Sequence, residues 1–253
     1  MSDFDRNASA RWGAGVARAG TRAEIDQGLR SYMLGVYNNM VIGLAITGVV
    51  ALGVNMLAVA GDGRHLTAFG EALYMSPLRW VVMLLPLAFV FFISFRISSM
   101  AASTARMLFF VFAAAMGLSL SSILLVYTGQ SVTRAFFITA AAFGGLSLYG
   151  YTTPRSLTGM GSFLIMGVFG LIIAGLVNIF LQSSGLQFAI SALAVLIFAG
   201  LTAYDTQAIK EMYYAGDGYE VATKKSVNGA LMLYLDFINI FVSLVQLTGN
   251  RNN

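Results

Sequence analysis

The sequence predicts an all-α, polytopic membrane protein with seven transmembrane helices. Three observations carry that expectation. Of 253 residues, 58% are hydrophobic and only 10% are charged, against roughly 25% charged in an ordinary soluble domain. A soluble fold of this length cannot hide so much apolar surface in one core, whereas a bilayer can. Charge-free stretches recur at the length a hydrocarbon core demands, about 20 residues. The 27 glycines fit the same class, because Gly lets membrane helices approach closely.

The spans follow in chain order. Ser31 to Gly61 is uncharged and predicts helix 1 at about 33–58. Arg79 and Arg96 bracket the apolar run Trp80–Phe95 and place helix 2 at about 77–98. Pro77 suits its first turn, and Pro86 is expected to kink it. Met107 to Thr133 holds helix 3 at about 105–127, and Ala135 to Pro154 holds helix 4 at about 132–152. Ser156 to Tyr204 carries no charge over 49 residues, enough for helices 5 and 6 at about 159–181 and 186–211. Gln182-Ser183-Ser184-Gly185 is the turn between them. Gly216 to Lys225 reads as a polar loop, and helix 7 is placed at about 227–247. The domain plan is a polar cytoplasmic tail over 1–30, the membrane domain over 31–248 and a polar terminus over 249–253.

Charge sets the expected orientation. With the N-terminus inside, eleven of the 15 basic residues are cytoplasmic: Arg6, Arg11, Arg18, Arg22, Arg30, Arg96, Arg106, Arg155, Lys210, Lys224 and Lys225. Arg64, Arg79, Arg134 and Arg251 are left outside. The positive-inside rule favours this arrangement, with the C-terminus outside if helix 7 crosses fully. The net charge of +4 is thus topological, and no nucleic-acid partner is expected. The first thirty residues lack the early apolar core and cleavage site of a signal peptide.

Several chemistries are excluded. Without cysteine there is no disulfide, thiolate catalysis or Cys-ligated metal. A lone His65 cannot build a histidine-rich metal centre. No zinc-protease, phosphate-loop or serine-hydrolase motif occurs. The contexts Ala203-Tyr204-Asp205 and Tyr234-Leu235-Asp236 lack the Gly-x-Gly-Asp setting of an intramembrane aspartyl protease. The protein is expected not to be an enzyme and to carry no cofactor.

Two carboxylates stand inside spans, Asp205 in helix 6 and Asp236 in helix 7. Each costs at least roughly 2.5–3.5 kcal/mol near a bilayer centre, so such groups face the bundle interior, find partners and mark ion paths. Counted from Glu211 and Val227, the two lie about 9 Å and 13 Å deep at 1.5 Å per residue. Consecutive antiparallel helices could bring them together. Two carboxyls in contact in a low dielectric resist double ionisation and share a proton. Protonated, they clasp two helices; deprotonated, they repel and offer hard oxygens that suit Ca²⁺. Arg96, ending helix 2, is either a snorkelling anchor or a counter-ion for the pair. Asn178, Asn239, Ser119, Ser121 and Ser122 read as interhelical hydrogen-bonding residues, and the glycines of helix 5 as a packing face.

At these motifs the sequence resembles the transmembrane Bax inhibitor motif family (Bax inhibitor-1-like), in its bacterial branch. Tyr204-Asp205-Thr206-Gln207 with Ile209-Lys210 is similar to that family's sixth-helix signature. Leu233-Tyr234-Leu235-Asp236-Phe237-Ile238-Asn239 is similar to its seventh. Phe95-Arg96 and the loop from Gly150 to Leu157 resemble it more loosely. The loop departs from the family's Lys-Arg-Asp pattern at Pro154-Arg155-Ser156. The resemblance covers about 30–248. It implies a bundle with helix 7 at its centre, surrounded by the other six. It also implies a pH-sensitive Ca²⁺ leak closed by Asp205 and Asp236, with Arg96 able to latch to the pair. The expected setting is a bacterial inner membrane, with the lipid bilayer, Ca²⁺ as transported ion and protons as partners. A second reading is a membrane-embedded regulator or substrate of a membrane quality-control protease, engaged through the tail.

Overall fold

The computed structural model describes residues 3–61, 65–97 and 99–252, with side chains from Asp26 onward except that of Ser94. Arg64 and the arginines of the first 25 residues enter the charge count but lie outside the described side chains. Among the described residues eight helices follow one another: α1 Asp3–Ala58, α2 Ala68–Tyr74, α3 Leu78–Arg96, α4 Ala102–Val126, α5 Gly129–Thr152, α6 Thr158–Leu181, α7 Ser184–Glu211 and α8 Tyr219–Thr248. Six of them are long and apolar enough to cross a membrane, α1 from Asp26 onward. The short α2 meets α3 at 62°, and the pair makes a seventh span when taken as one bent crossing. The protein is therefore an all-α polytopic membrane protein.

Most boundaries fall within a turn of those expected, because uninterrupted apolar runs must stay helical in lipid to satisfy their own backbone. Two differ. α2 was not anticipated. It starts at Thr67, whose side chain accepts from the Gly70 amide at 3.1 Å and so caps the helix. The sharp bend falls between α2 and α3, ahead of Pro77, and α3 runs unbroken past Pro86. α8 begins at Tyr219, two turns before the expected start, so Lys224 and Lys225 sit on a helix rather than in a loop. Glu220 holds that early start in place, its carboxylate accepting from the Ala102 amide at the N-terminus of α4 at 2.8 Å. A carboxylate at a helix N-terminus satisfies one of its orphan donors and complements its dipole.

The turn between α6 and α7 forms where expected. Gln182 takes a left-handed φ of 48°, Asn178 Oδ1 accepts from the Ser183 amide at 3.0 Å, and Ser183 caps α7.

α8 is the most buried of the spans, and α6 the least. α8 packs against α1, α4, α5 and α7. The expectation that all six other spans surround it is corrected. α6 leans on α7, and α3 on α4 and α2, so those elements form an outer layer. The core at the centre is built around Tyr234, fully buried between Phe109 and Phe112 of α4, whose rings meet it edge-on at 5.7 and 5.5 Å. Thr47 on α1 donates to the Ala113 carbonyl at 2.9 Å, so its oxygen is left to accept from the Tyr234 hydroxyl at 2.6 Å. One hydroxyl pair thus ties α1, α4 and α8 together.

α8 crosses the whole bundle. Its start meets the start of α4 through Glu220. Beyond its far end, Arg251 bridges Tyr127, and the Thr128 and Asn252 amides bond the Asn250 and Val126 carbonyls at 2.9 Å each. The chain terminus therefore lies against the α4–α5 turn, which rules out a re-entrant helix 7.

Candidate functional site

The last two helices form an antiparallel pair whose register can be read rung by rung. At one end Gly229 of α8 faces Ile209 of α7, where a Cβ would come within 2.9 Å of the Ile209 side chain. Only glycine allows that approach. At the other end the Ser191 hydroxyl on α7 donates to Gln246 Oε1 on α8 at 2.8 Å. Asp205 and Asp236 stand between these rungs and hydrogen-bond each other. The sequence places both in spans; the fold brings them into contact. A helix start is not a membrane boundary: α8 extends from Tyr219, two turns ahead of the Val227 from which the depth of Asp236 is counted. The contact depends on register and is unaffected.

A hydrogen bond between two carboxyls needs a proton on one of them. Asp236 is only 3% exposed, and its Oδ2 has no hydrogen-bond partner among the described residues. Asp205 is half-buried. One carboxyl is therefore walled in at the centre of the bundle, and its partner is less deeply buried.

Neighbouring side chains fix α7 around the pair. Gln207 is a two-sided clamp: its Oε1 accepts from the buried Leu157 amide at 2.7 Å and its Nε2 donates to the Arg155 carbonyl at 2.9 Å. Lys210 donates to the Tyr151 carbonyl at 2.8 Å and lies 5.0 Å from the centre of the Tyr151 ring. The loop that departs from the family pattern at Pro154-Arg155-Ser156 is thus anchored through its backbone and needs no acidic side chain for that purpose. Tyr37 of α1, Ser147 of α5 and Thr206 of α7 form a hydroxyl chain with spacings of 2.5 and 2.9 Å. Thr206 donates onward to the Thr202 carbonyl at 2.7 Å, so the proton order runs from Tyr37 through Ser147 to Thr206. Gly150 lets α5 press its backbone onto Ala203, two residues before Asp205.

Arg96 is not brought to the pair. It ends α3, its side chain is exposed, and no hydrogen bond or ion pair joins it to either aspartate among the described residues. In this conformation the latch expected of it is not formed: α3 packs chiefly on α4 and α2 rather than on α7 or α8. The ion pair that does form near this end joins Lys225 to Asp217 at 2.5 Å, with Lys225 also donating to the Met212 carbonyl at 2.9 Å, and closes the α7–α8 loop. Among the described residues no group of three or more His, Cys, Asp or Glu side chains gathers as a metal centre.

Tyr37 and Ser147 went unremarked in the sequence, since a hydroxyl in a membrane helix is common interhelical glue. Gln207 was visible only as part of the sixth-helix motif.

A multi-span α-helical bundle, with a buried carboxyl pair between its central helix and the helix before it, defines the class of protein. The family model described as inhibitor of apoptosis-promoting Bax1 matches residues 29–253. The chain belongs to this Bax inhibitor-1-like family. It is 47% identical over 228 residues to the uncharacterized protein RP147 of Rickettsia prowazekii, covering 90% of this chain and 93% of that one. It is 44% identical over 256 residues to an uncharacterized protein of Caulobacter vibrioides, covering 99% of each. It is 41% identical over 228 residues to the inner membrane protein YbhL of Escherichia coli, covering 88% of this chain and 93% of YbhL.

Proposed function

We propose that the protein is a passive, pH-sensitive cation leak, gated by the Asp205–Asp236 pair, with Ca²⁺ as the best-suited ion. The observation that carries this reading is the Asp236 carboxyl, 3% exposed on the central helix, with Asp205 as partner and one oxygen unpartnered. A buried carboxyl is costly in a membrane protein and usually serves transport. With one shared proton the pair clasps α7 to α8. Without that proton the two charges repel and present oxygens to a cation. Ca²⁺ takes 6–8 oxygen ligands, and two carboxylates supply only part of that set. The pair therefore suits an ion in passage, still partly hydrated, rather than one held permanently. No catalytic step and no resident cofactor are assigned.

The setting proposed is a bacterial inner membrane, the location named for YbhL, with the N-terminus cytoplasmic on the balance of basic residues. Arg96 would act, if at all, only in a conformation that moves α3.

Purified protein in liposomes, loaded with a Ca²⁺ indicator and assayed against empty liposomes, tests the leak. Ca²⁺ entry down its gradient, without counter-ion coupling, is the expected result. Absence of flux for Ca²⁺, Na⁺ and K⁺ alike would sink the reading. The second reading would then stand, a membrane-embedded regulator or substrate of a membrane protease, with the carboxyl pair as a structural clasp.

A further inference from the structure

Two helices that face each other do not close on each other. α1 packs on α4 and α8, and α5 on α7 and α8. Between α1 and α5 lies a lateral cleft of about 1070 Å³, bridged near one end by the Tyr37–Ser147 hydroxyl contact. Its floor includes Phe237 of α8, the residue after Asp236. A second cavity of about 290 Å³ continues it toward the other end, sharing Gly48 and Phe237. The central helix is thus reachable from the side, through the bilayer.

The cleft has the polarity of a lipid. From Arg30 to Leu52 it follows α1 for about 33 Å at 1.5 Å per residue, the thickness of a hydrocarbon core. Among the described residues Arg30 is the one charged residue that lines it, and it stands exposed at its mouth. Tyr151 lines the same end and carries Lys210 over its ring, so a second cation is near. No carboxylate among the described residues lines the cleft: Asp26 stands one turn before Arg30 on α1, and Asp236 is the residue before Phe237. A guanidinium fork matches a phosphate, and apolar walls match an acyl chain.

We infer that the α1–α5 cleft is a binding site for one anionic phospholipid of the leaflet on the Arg30 side. Its phosphate sits at Arg30 and an acyl chain runs inward to Phe237. The site is distinct from the carboxyl pair, and lipid binding does not require that the protein conduct ions.

Native mass spectrometry tests it, on full-length protein extracted from nanodiscs holding equal phosphatidylglycerol and phosphatidylcholine. Wild type is expected to retain one lipid, predominantly phosphatidylglycerol. Arg30→Gln should reduce that preference about fivefold, the effect of one interfacial basic residue. Gly48 and Gly144 line the cleft, and a Cβ on either meets nothing within 4 Å. Gly48→Leu with Gly144→Leu should therefore fill the space without a clash and abolish retention, with thermal unfolding unchanged. Equal retention of both lipids by wild type would overturn the inference, as would undiminished retention by the double variant. A lipid-free dimer that the glycine variants dissociate would also overturn it, by showing a second copy in the cleft.

Discussion

Asp236 Oδ2 is buried without a partner, while its carboxyl shares a hydrogen bond with Asp205. A permanent clasp could be built from asparagine or serine at less cost, which is why the proposed reading gives this carboxyl a proton to lose. These two residues were legible in the sequence because a charge inside an apolar run has few innocent explanations. The groups that hold them were not. Ser147 and Tyr37 look like any hydroxyls in a membrane helix, and only the fold shows them in series with Thr206. Gln207 makes a prediction at this scale. Gln207→Ala leaves the buried Leu157 amide unpaired, which costs about 1–3 kcal/mol. Thermal unfolding in detergent should show that loss, and Gln207→Glu, which keeps the acceptor, should recover part of it.

At the scale of elements, the spans were readable and the connections were not. Uninterrupted apolarity located all six long helices. The seven-residue α2 and the polar start of α8 stayed hidden because their helicity comes from a Thr67 cap and from Glu220 bonding α4, contacts that periodicity does not register. The α7–α8 register gives a prediction. If the gate opens by parting these helices, a cross-link at the Ile209–Gly229 rung should hold it shut. The chain has no cysteine, so Ile209→Cys with Gly229→Cys is a clean pair. Oxidised protein should lose at least about nine-tenths of its flux and regain it on reduction, and equal flux in both states would contradict a gate at this interface. The terminal strap gives another. Truncation after Gly249 removes the Asn250 and Asn252 bonds to the α4–α5 turn. It should lower the unfolding temperature by a few degrees while leaving Asp205 and Asp236 in contact.

For the whole molecule, family membership, the all-α class and the central place of α8 agree. The bundle is layered rather than radial: α1, α4, α5 and α7 enclose α8, and α3 and α6 lie outside. That layering sets Arg96, at the end of α3, apart from the pair in this conformation, which fits the anchor of the two roles the sequence offered. The lateral cleft, by contrast, reaches the central helix at Phe237.

The central claim is that one shared proton between α7 and α8 controls passage. Ca²⁺ flux into proteoliposomes at pH 6, 7 and 8, compared between wild type and Asp236→Asn, tests it most directly. An asparagine keeps a hydrogen bond to Asp205 but cannot titrate in this range. The account predicts that wild-type flux varies with pH and that the variant's flux is altered and flat across the three values. A variant that keeps both the wild-type flux and its full pH dependence would contradict the account.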